Sequence, residues 1–213
     1  MPELRSSALV EAPLPTVAGA LLDLASQSWW TVSSDLVETG AGTLAVHRVS
    51  WRSLGRVFDL TVGRWVALRL LHKRSHALAA RSLELAEARV VVGAAIVRDG
   101  KLLAQQRAYP ESHAGQWELP GGRVESGETP VDGLVRECLE ELGVRVVVGE
   151  QVGPDVPLKK DMLLRIFAAK LDGGEPEALE HKALRWLTAD ELPGLDWLPA
   201  DRVLVGDLTD LLR

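Results

Sequence analysis

Apolar and polar positions along the chain change rhythm several times, and each rhythm predicts an element. Between Thr129 and Gly143, Val131, Leu134, Val135, Cys138, Leu139 and Leu142 recur at i, i+3, i+4, i+7, i+8 and i+11. That period predicts an amphipathic helix with one continuous apolar stripe. Thr129 stands where an N-cap belongs, Pro130 at the first helical position, and Gly143 where a left-handed residue closes a helix. Upstream, Val90 to Val97 is an unbroken apolar run, the pattern of a strand covered on both faces. Asp99-Gly100 predicts a hairpin turn and Lys101–Arg107 the returning strand. The loop AYPESHAGQWELPGG then leads to the helix. Val144–Val148 and Met162–Ala169 read as further strands, with Leu171–Pro176 as a loop.

The first 88 residues follow a different plan. Ser7–Val10 reads as a short strand, and Thr16–Ala25 as a helix with Val17, Ala20, Leu21 and Leu24 on one face. A turn at Gly40-Ala41-Gly42 precedes a strand at Thr43–Trp51. No proline lies between Pro15 and Pro110, which permits a long helix from Ser53 to Ala88, although Phe58–Val62 alternates as a strand does. The expected organisation is a small α+β domain over 1–88 and a larger α/β domain over 89–213. The order strand, helix, strands, long helix, with the phrases VEAPLPTVAGALLD and SLGRVFDLTVGRW, resembles a shortened START-like, polyketide-cyclase-like helix-grip domain.

Composition adds limits. The chain is 46% hydrophobic and 25% charged, with no apolar run long enough to span a bilayer. Its start lacks a basic-then-apolar leader, so a cytoplasmic protein is expected. Cys138 is the single cysteine and lies on the apolar stripe, which makes it a buried spectator rather than a nucleophile. Residues 1–88 carry nine Lys/Arg against eight Asp/Glu, while residues 89–213 carry fifteen against twenty-two. An acidic second half argues against nonspecific nucleic-acid binding. The first half is locally basic and holds four of the seven tryptophans, which reads either as a nucleic-acid or partner surface or, more simply, as a Trp-built core with a solvated helix face. His47, His72 and His76 lack zinc-ligand spacing and are expected at the surface.

The helix's other side carries the chemistry. Glu137, Glu140 and Glu141 share one face beside Arg136, and such carboxylates repel by roughly 0.2–0.5 kcal/mol per exposed pair. A divalent cation reverses that sign, since Mg²⁺ takes carboxylate oxygens and keeps positions open for phosphate and water. The acidic face therefore reads as a metal site. Gly122, five residues, Glu128, seven residues, Arg136-Glu137, apolar Cys138, one residue, Glu140-Glu141, one residue, Gly143 and apolar Val144 resemble the complete signature of the Nudix hydrolases. Seven fixed identities at about 6% usage each coincide at roughly 10⁻⁹ per starting point.

The resemblance implies an α/β/α sandwich with a mixed sheet, hydrolysing nucleoside diphosphates linked to a further group. It implies Mg²⁺, or Mn²⁺ in its place, held by the Gly121 carbonyl with Glu137, Glu140, Glu141 and Glu180. Glu137 and Glu180 are the two candidates for the proton acceptor, Arg136 fixes carboxylate rotamers, and Gly122, Glu128 and Gly143 are structural. In MutT-like members a carboxylate six residues before a tryptophan adds a ligand or base, the spacing of Glu180 and Trp186. Those members also carry a strand of the form WELPGG, so Trp117, Glu118 and Leu119 are implied substrate contacts. Arg107 is a candidate phosphate ligand, with a salt bridge at a strand end as its alternative. The end of the chain, EHKALRWLTADELPGLDWLPAD, resembles the cytidine-triphosphate pyrophosphohydrolase branch.

Asp201 falls at the base-reading position of that branch. Ionised, it only accepts, which suits cytosine N4. Its alternative is N-cap of a final helix Arg202–Leu212. The expected activity is conversion of a nucleoside triphosphate to the monophosphate and pyrophosphate, favouring CTP, dCTP or a damaged dNTP such as 8-oxo-dGTP. An ADP-ribose or sugar-nucleotide pyrophosphatase and a nucleotide-sensing regulator with a DNA-contacting N-terminal region are the competing readings. The partner is thus a small nucleotide, with no membrane and no nucleic acid, and a homodimer is compatible. Arg123 stands where lysine is frequent, and Gly133 weakens the helix by up to about 1 kcal/mol relative to alanine.

Overall fold

The computed structural model describes residues 3–10, 31–39, 42–50, 64–159 and 161–213. The chain divides into two compact units, Met1–Glu87 and Ala88–Arg213. In the first, β1 (Glu3–Val10), β2 (Thr31–Thr39) and β3 (Gly42–Ser50) form an antiparallel sheet in the order β1-β3-β2. Helix α1 (Arg64–Ala86) contacts β1 and β3. Its buried Leu71, Leu78 and Leu85 recur every seventh residue, which keeps one side turned inward. His72 and His76 are exposed, as expected, and their rings meet edge to face at 4.2 Å. The expected helix at 16–25, the turn at 40–41 and the segment 53–63 lie outside the described residues, as does most of the sequence carrying the helix-grip resemblance.

The second unit carries the site. Its strands are β4 (Arg89–Arg98), β5 (Lys101–Gln106), β6 (Trp117–Glu118), β7 (Gly121–Arg123), β8 (Val146–Lys159), β9 (Met162–Leu171) and β10 (Ala183–Leu187). The sheet runs β10-β5-β4-β9-β8, with β6 added to β5 and β7 to β4. Only β4 and β9 pair in parallel, so the sheet is mixed. Strand β4 changes partner along its length: Val91–Gly93 pair with β7, then Val97 and Arg98 pair with β5 across the Asp99-Gly100 turn, where φ is 52° and 70°.

Successive residues of β4 and β5 enter opposite cores. Ala95, Leu102 and Ala104 pack with Leu192, Leu195, Trp197, Leu204 and Leu208 on one face. Val92, Ala94, Ile96 and Leu103 pack with Leu134, Cys138 and Leu142 on the other. Helix α2 (Pro130–Leu142) covers the second face, and α3 (Pro199–Val203) with α4 (Val205–Leu211) covers the first. This is the expected α/β/α sandwich, and burial on both faces explains why β4 shows no polar alternation. Among the described residues no helix is long and apolar enough to cross a membrane.

Several boundaries differ from the sequence expectation. The apolar stripe of α2 is narrower: Leu134, Cys138 and Leu142 are buried, but Val131 and Leu139 are exposed, and Gly133 and Glu141 are buried. The helix is rolled so that Glu141 faces inward, for reasons found at the site. Strand β8 continues past Gly149 to Lys159, through register shifts between Val148 and Gln151, Val152 and Val156, and Pro157 and Lys159. These bulges absorb glycine and proline positions that would otherwise end a strand. Ala183–Leu187, a strand not expected, completes the sheet against β5. The single final helix expected over Arg202–Leu212 is two short helices that meet at Leu204.

Candidate active site

Two glycines bring the strand and the helix together. Gly121 pairs with Gly93 at φ 148°, and a Cβ there would collide with the Val92 carbonyl. A Cβ on Gly122 would fall on the Glu137 carboxylate. Thr129 caps α2 by accepting from the Asp132 N–H, Pro130 opens the helix, and Gly143 closes it at φ 68°. Helix α2 therefore meets β7 at closest range where its carboxylates begin.

Arg136 is the hub of the acidic face. Its Nε donates to Glu128 Oε1 at 2.8 Å and its Nη2 to Glu128 Oε2 at 3.1 Å and the Arg123 carbonyl at 2.9 Å. Its Nη1 reaches Glu137 at 3.0 Å and Glu140 at 2.9 Å. Glu128 also accepts the Glu125 N–H at 3.0 Å, which braces the loop before the helix. Arg136 and this N–H hold the Glu128 carboxyl below its ordinary value. Glu137 behaves differently. Burial raises its pKa against the pull of Arg136, and the neighbouring charges of Glu140 and Glu180 add to the rise. Glu180 thus lies within electrostatic reach of Glu137.

Glu141 turns away from the other two. Its Oε2 accepts from Gln105 Nε2 at 2.9 Å and from the Gly121 N–H at 2.8 Å. These two donors on β5 and β7 draw the side chain in and explain the roll of α2. Burial raises its pKa despite both hydrogen bonds. His181, directly after Glu180, reaches the same carboxylate: its Nδ1 stands 3.7 Å from Glu141 Oε1 while its Nε2 lies 2.9 Å from Glu118 Oε1. Sequence reasoning missed both Gln105 and His181. In the sequence Gln105 stands beside a second glutamine at the end of KLLAQQ, and only the structure shows that it is fully buried.

Arg107, Trp117, Glu118, Leu119 and Asp201, the residues expected to contact substrate, are joined to one another and to the C-terminal segment by hydrogen bonds. Arg107 donates from Nη1 to both oxygens of Glu118 at 2.8 and 2.7 Å and from Nε to the Tyr109 carbonyl at 3.1 Å. Its guanidinium is thus closed in the salt bridge that was its alternative role. The Trp117 N–H donates to Asp196 and its carbonyl accepts from Leu198, which stitches the C-terminal segment to β6.

Asp201 is not an N-cap. Leu198 precedes the helix without a side-chain cap, and Asp201, in the first turn, accepts the Leu119 N–H at 3.1 Å. Nor is it a plain acceptor. Burial, opposed by the Leu119 hydrogen bond, pushes its carboxyl from the ordinary 3.8 up to about 7, so near neutrality it offers a donor as well as an acceptor.

The donor set Glu137, Glu140, Glu141 and Glu180 is all oxygen, the chemistry of a hard divalent ion such as Mg²⁺ or Mn²⁺. Burial raises the Glu137 and Glu141 carboxyls because their charged forms are not fully compensated, and a cation beside them would supply the compensation. Two buried polar atoms beside Glu141, Gln105 Oε1 and His181 Nδ1, have no hydrogen-bond partner. These observations fit an ion. Among the described residues no three His, Cys, Asp or Glu side chains already converge on one point, because Glu137 and Glu140 are drawn to Arg136.

The profile described as NUDIX domain matches residues 87–206. Over 127 residues the chain is 48% identical to the "Putative 8-oxo-dGTP diphosphatase 2" of Mycobacterium tuberculosis, covering 58% of this chain and 90% of that protein. It is 39% identical over 113 residues to the CTP pyrophosphohydrolase of Escherichia coli K12, covering 52% and 84%. The solution structure of the E. coli ORF135 protein matches with a TM-score of 0.51 at 36% identity, covering 59% of this chain and 91% of that one. With the domain match over residues 87–206 and these relatives together, the chain belongs to the Nudix hydrolase family as a MutT-like member.

Proposed function

We propose that the protein hydrolyses a nucleoside triphosphate to the monophosphate and pyrophosphate with Mg²⁺, favouring CTP, dCTP or an oxidised dNTP such as 8-oxo-dGTP. The observation that carries this reading is the bond from the Gly121 N–H to Glu141, which ties the acidic helix to the strand segment leading back to Leu119 and Asp201. Phosphate chemistry and base recognition then lie at the two ends of one short stretch of backbone. The names of the relatives, an 8-oxo-dGTP diphosphatase and a CTP pyrophosphohydrolase, support the substrate class.

Glu137, Glu140, Glu141, Glu180 and the Gly121 carbonyl would hold the ion, which supplies neutralisation of developing phosphate charge and a more acidic water. Glu137 and Glu180 remain the two candidates to accept the proton of the attacking water. Arg136 orients Glu137 and Glu140 through one guanidinium nitrogen. Arg107 binds phosphate oxygens by exchanging Glu118 for the substrate, since a planar guanidinium fork can take two oxygens of either a carboxylate or a phosphate. Asp201 reads the base edge beside the Leu119 backbone. A purified-protein assay with CTP, dCTP, 8-oxo-dGTP and ADP-ribose, followed by product chromatography, tests the reading. Monophosphate and pyrophosphate from a triphosphate are expected, lost in Glu141→Gln. Turnover confined to ADP-ribose, or equal turnover by wild type and Glu141→Gln, overturns it.

A further inference from the structure

His181 is not one of the expected site residues, yet it stands against two carboxylates, Glu118 and Glu141. Its side chain is only 9% exposed and sits between two carboxylates that belong to different elements, Glu118 on β6 and Glu141 on α2. Glu141 has one oxygen, Oε2, fixed by Gln105 and Gly121. The other oxygen faces His181 Nδ1, a buried atom without a hydrogen-bond partner, and Gln105 Oε1 beside it is equally unpartnered. Buried polar atoms are rarely left so.

We propose that His181 is a positioning residue for the hydrolysis, holding Glu141 and Glu118 at a fixed separation. The inference rests on the reading that Glu141 is a metal ligand. With Oε2 pinned, Oε1 can turn only as far as the rigid imidazole 3.7 Å away allows, so His181 limits the carboxylate by packing and charge rather than by a hydrogen bond. Glu118 needs a second holder for a separate reason. When Arg107 turns to phosphate, Glu118 gives up both bonds from that guanidinium and keeps the contact to His181 Nε2. The ring therefore keeps a released carboxylate from swinging into the space where the polyphosphate lies. Neighbours that orient a metal ligand in this way change metal affinity by about 10–100-fold when removed.

The test compares His181→Ala, His181→Asn and His181→Gln with wild type. Binding of Mn²⁺ alone is followed by electron paramagnetic resonance, kcat and KM are measured with the best triphosphate, and melting temperature controls for folding. Replacement by alanine should weaken Mn²⁺ binding by about 10-fold or more and lower kcat with KM changed less than kcat. Asparagine, whose amide nitrogen falls near the Nδ1 position, should restore Mn²⁺ binding better than glutamine, whose amide falls near Nε2. Should the alanine variant not fold, the contrast between asparagine and glutamine decides. Wild-type Mn²⁺ affinity and kcat in His181→Ala overturn the proposal alone. So do equal losses in all three variants that track their melting temperatures. A wild type that binds no Mn²⁺ and hydrolyses no nucleotide overturns the functional reading beneath it.

Discussion

Asp201→Asn is the substitution whose outcome the structure specifies most closely. Asp201 is 5% exposed, and burial lifts its carboxyl from 3.8 to about 7. Between those two values the folded chain keeps a proton that the unfolded chain has lost. Stability therefore falls as pH rises through this window, the reverse of a salt-bridged carboxylate. The full gap corresponds to on the order of 4 kcal/mol, of which roughly 3 kcal/mol falls between pH 5 and pH 8. Asparagine keeps an acceptor for the Leu119 N–H and carries no charge at any pH. Urea unfolding of both proteins at pH 5, 6, 7 and 8 should show the variant gaining on wild type by on the order of 3 kcal/mol across that range, with most of the change before pH 7. A stability difference independent of pH would refute the claim that Asp201 is buried as a neutral acid.

Three further outcomes follow from the site and the core. Gly122→Ala places a methyl group on the flexible end of Glu137, so kcat should fall about 10²-fold while the melting temperature changes little; retained kcat refutes the contact. Arg136→Gln leaves Glu137 and Glu140 without their shared cation, so added Mn²⁺ should raise the melting temperature more in the variant than in wild type, and equal shifts would deny Arg136 that role. Leu134→Ala empties a position with 0% exposure under the sheet and should cost about 2–5 kcal/mol in urea unfolding; a loss below that range would show the helix is loosely packed.

What could be read from the sequence was what depends on local chemistry. Thr129, Pro130 and Gly143 delimit the signature helix because capping and left-handed closure are decided by neighbours in the chain. The β4–β5 hairpin was legible for the same reason, since Asp99-Gly100 suffices to turn it. The family signature named the carboxylates, but not where they turn. Glu141 leaves the acidic face because of donors at Gln105 and Gly121, 36 and 20 residues away, and no helical period encodes that. Spacing puts Val131 and Leu139 on the apolar stripe, and the roll of α2 around Glu141 leaves them exposed. Strand β10 was hidden because its residues, ALRWL, gain their strand conformation by pairing with β5 rather than from their own pattern. Asp201 and His181 carry the same lesson: burial and a distant backbone N–H, or a carboxylate 63 residues earlier, fix their positions.

The five bonds gathered by Arg136 give its charge a second use. Carboxylates crowded on one helix face repel one another, and a guanidinium set among Glu128, Glu137 and Glu140 offsets that repulsion from within the chain. Its fifth bond, to the Arg123 carbonyl beyond the helix, fastens the acidic side of α2 to the end of β7. One side chain therefore balances charge and joins two elements at the same point.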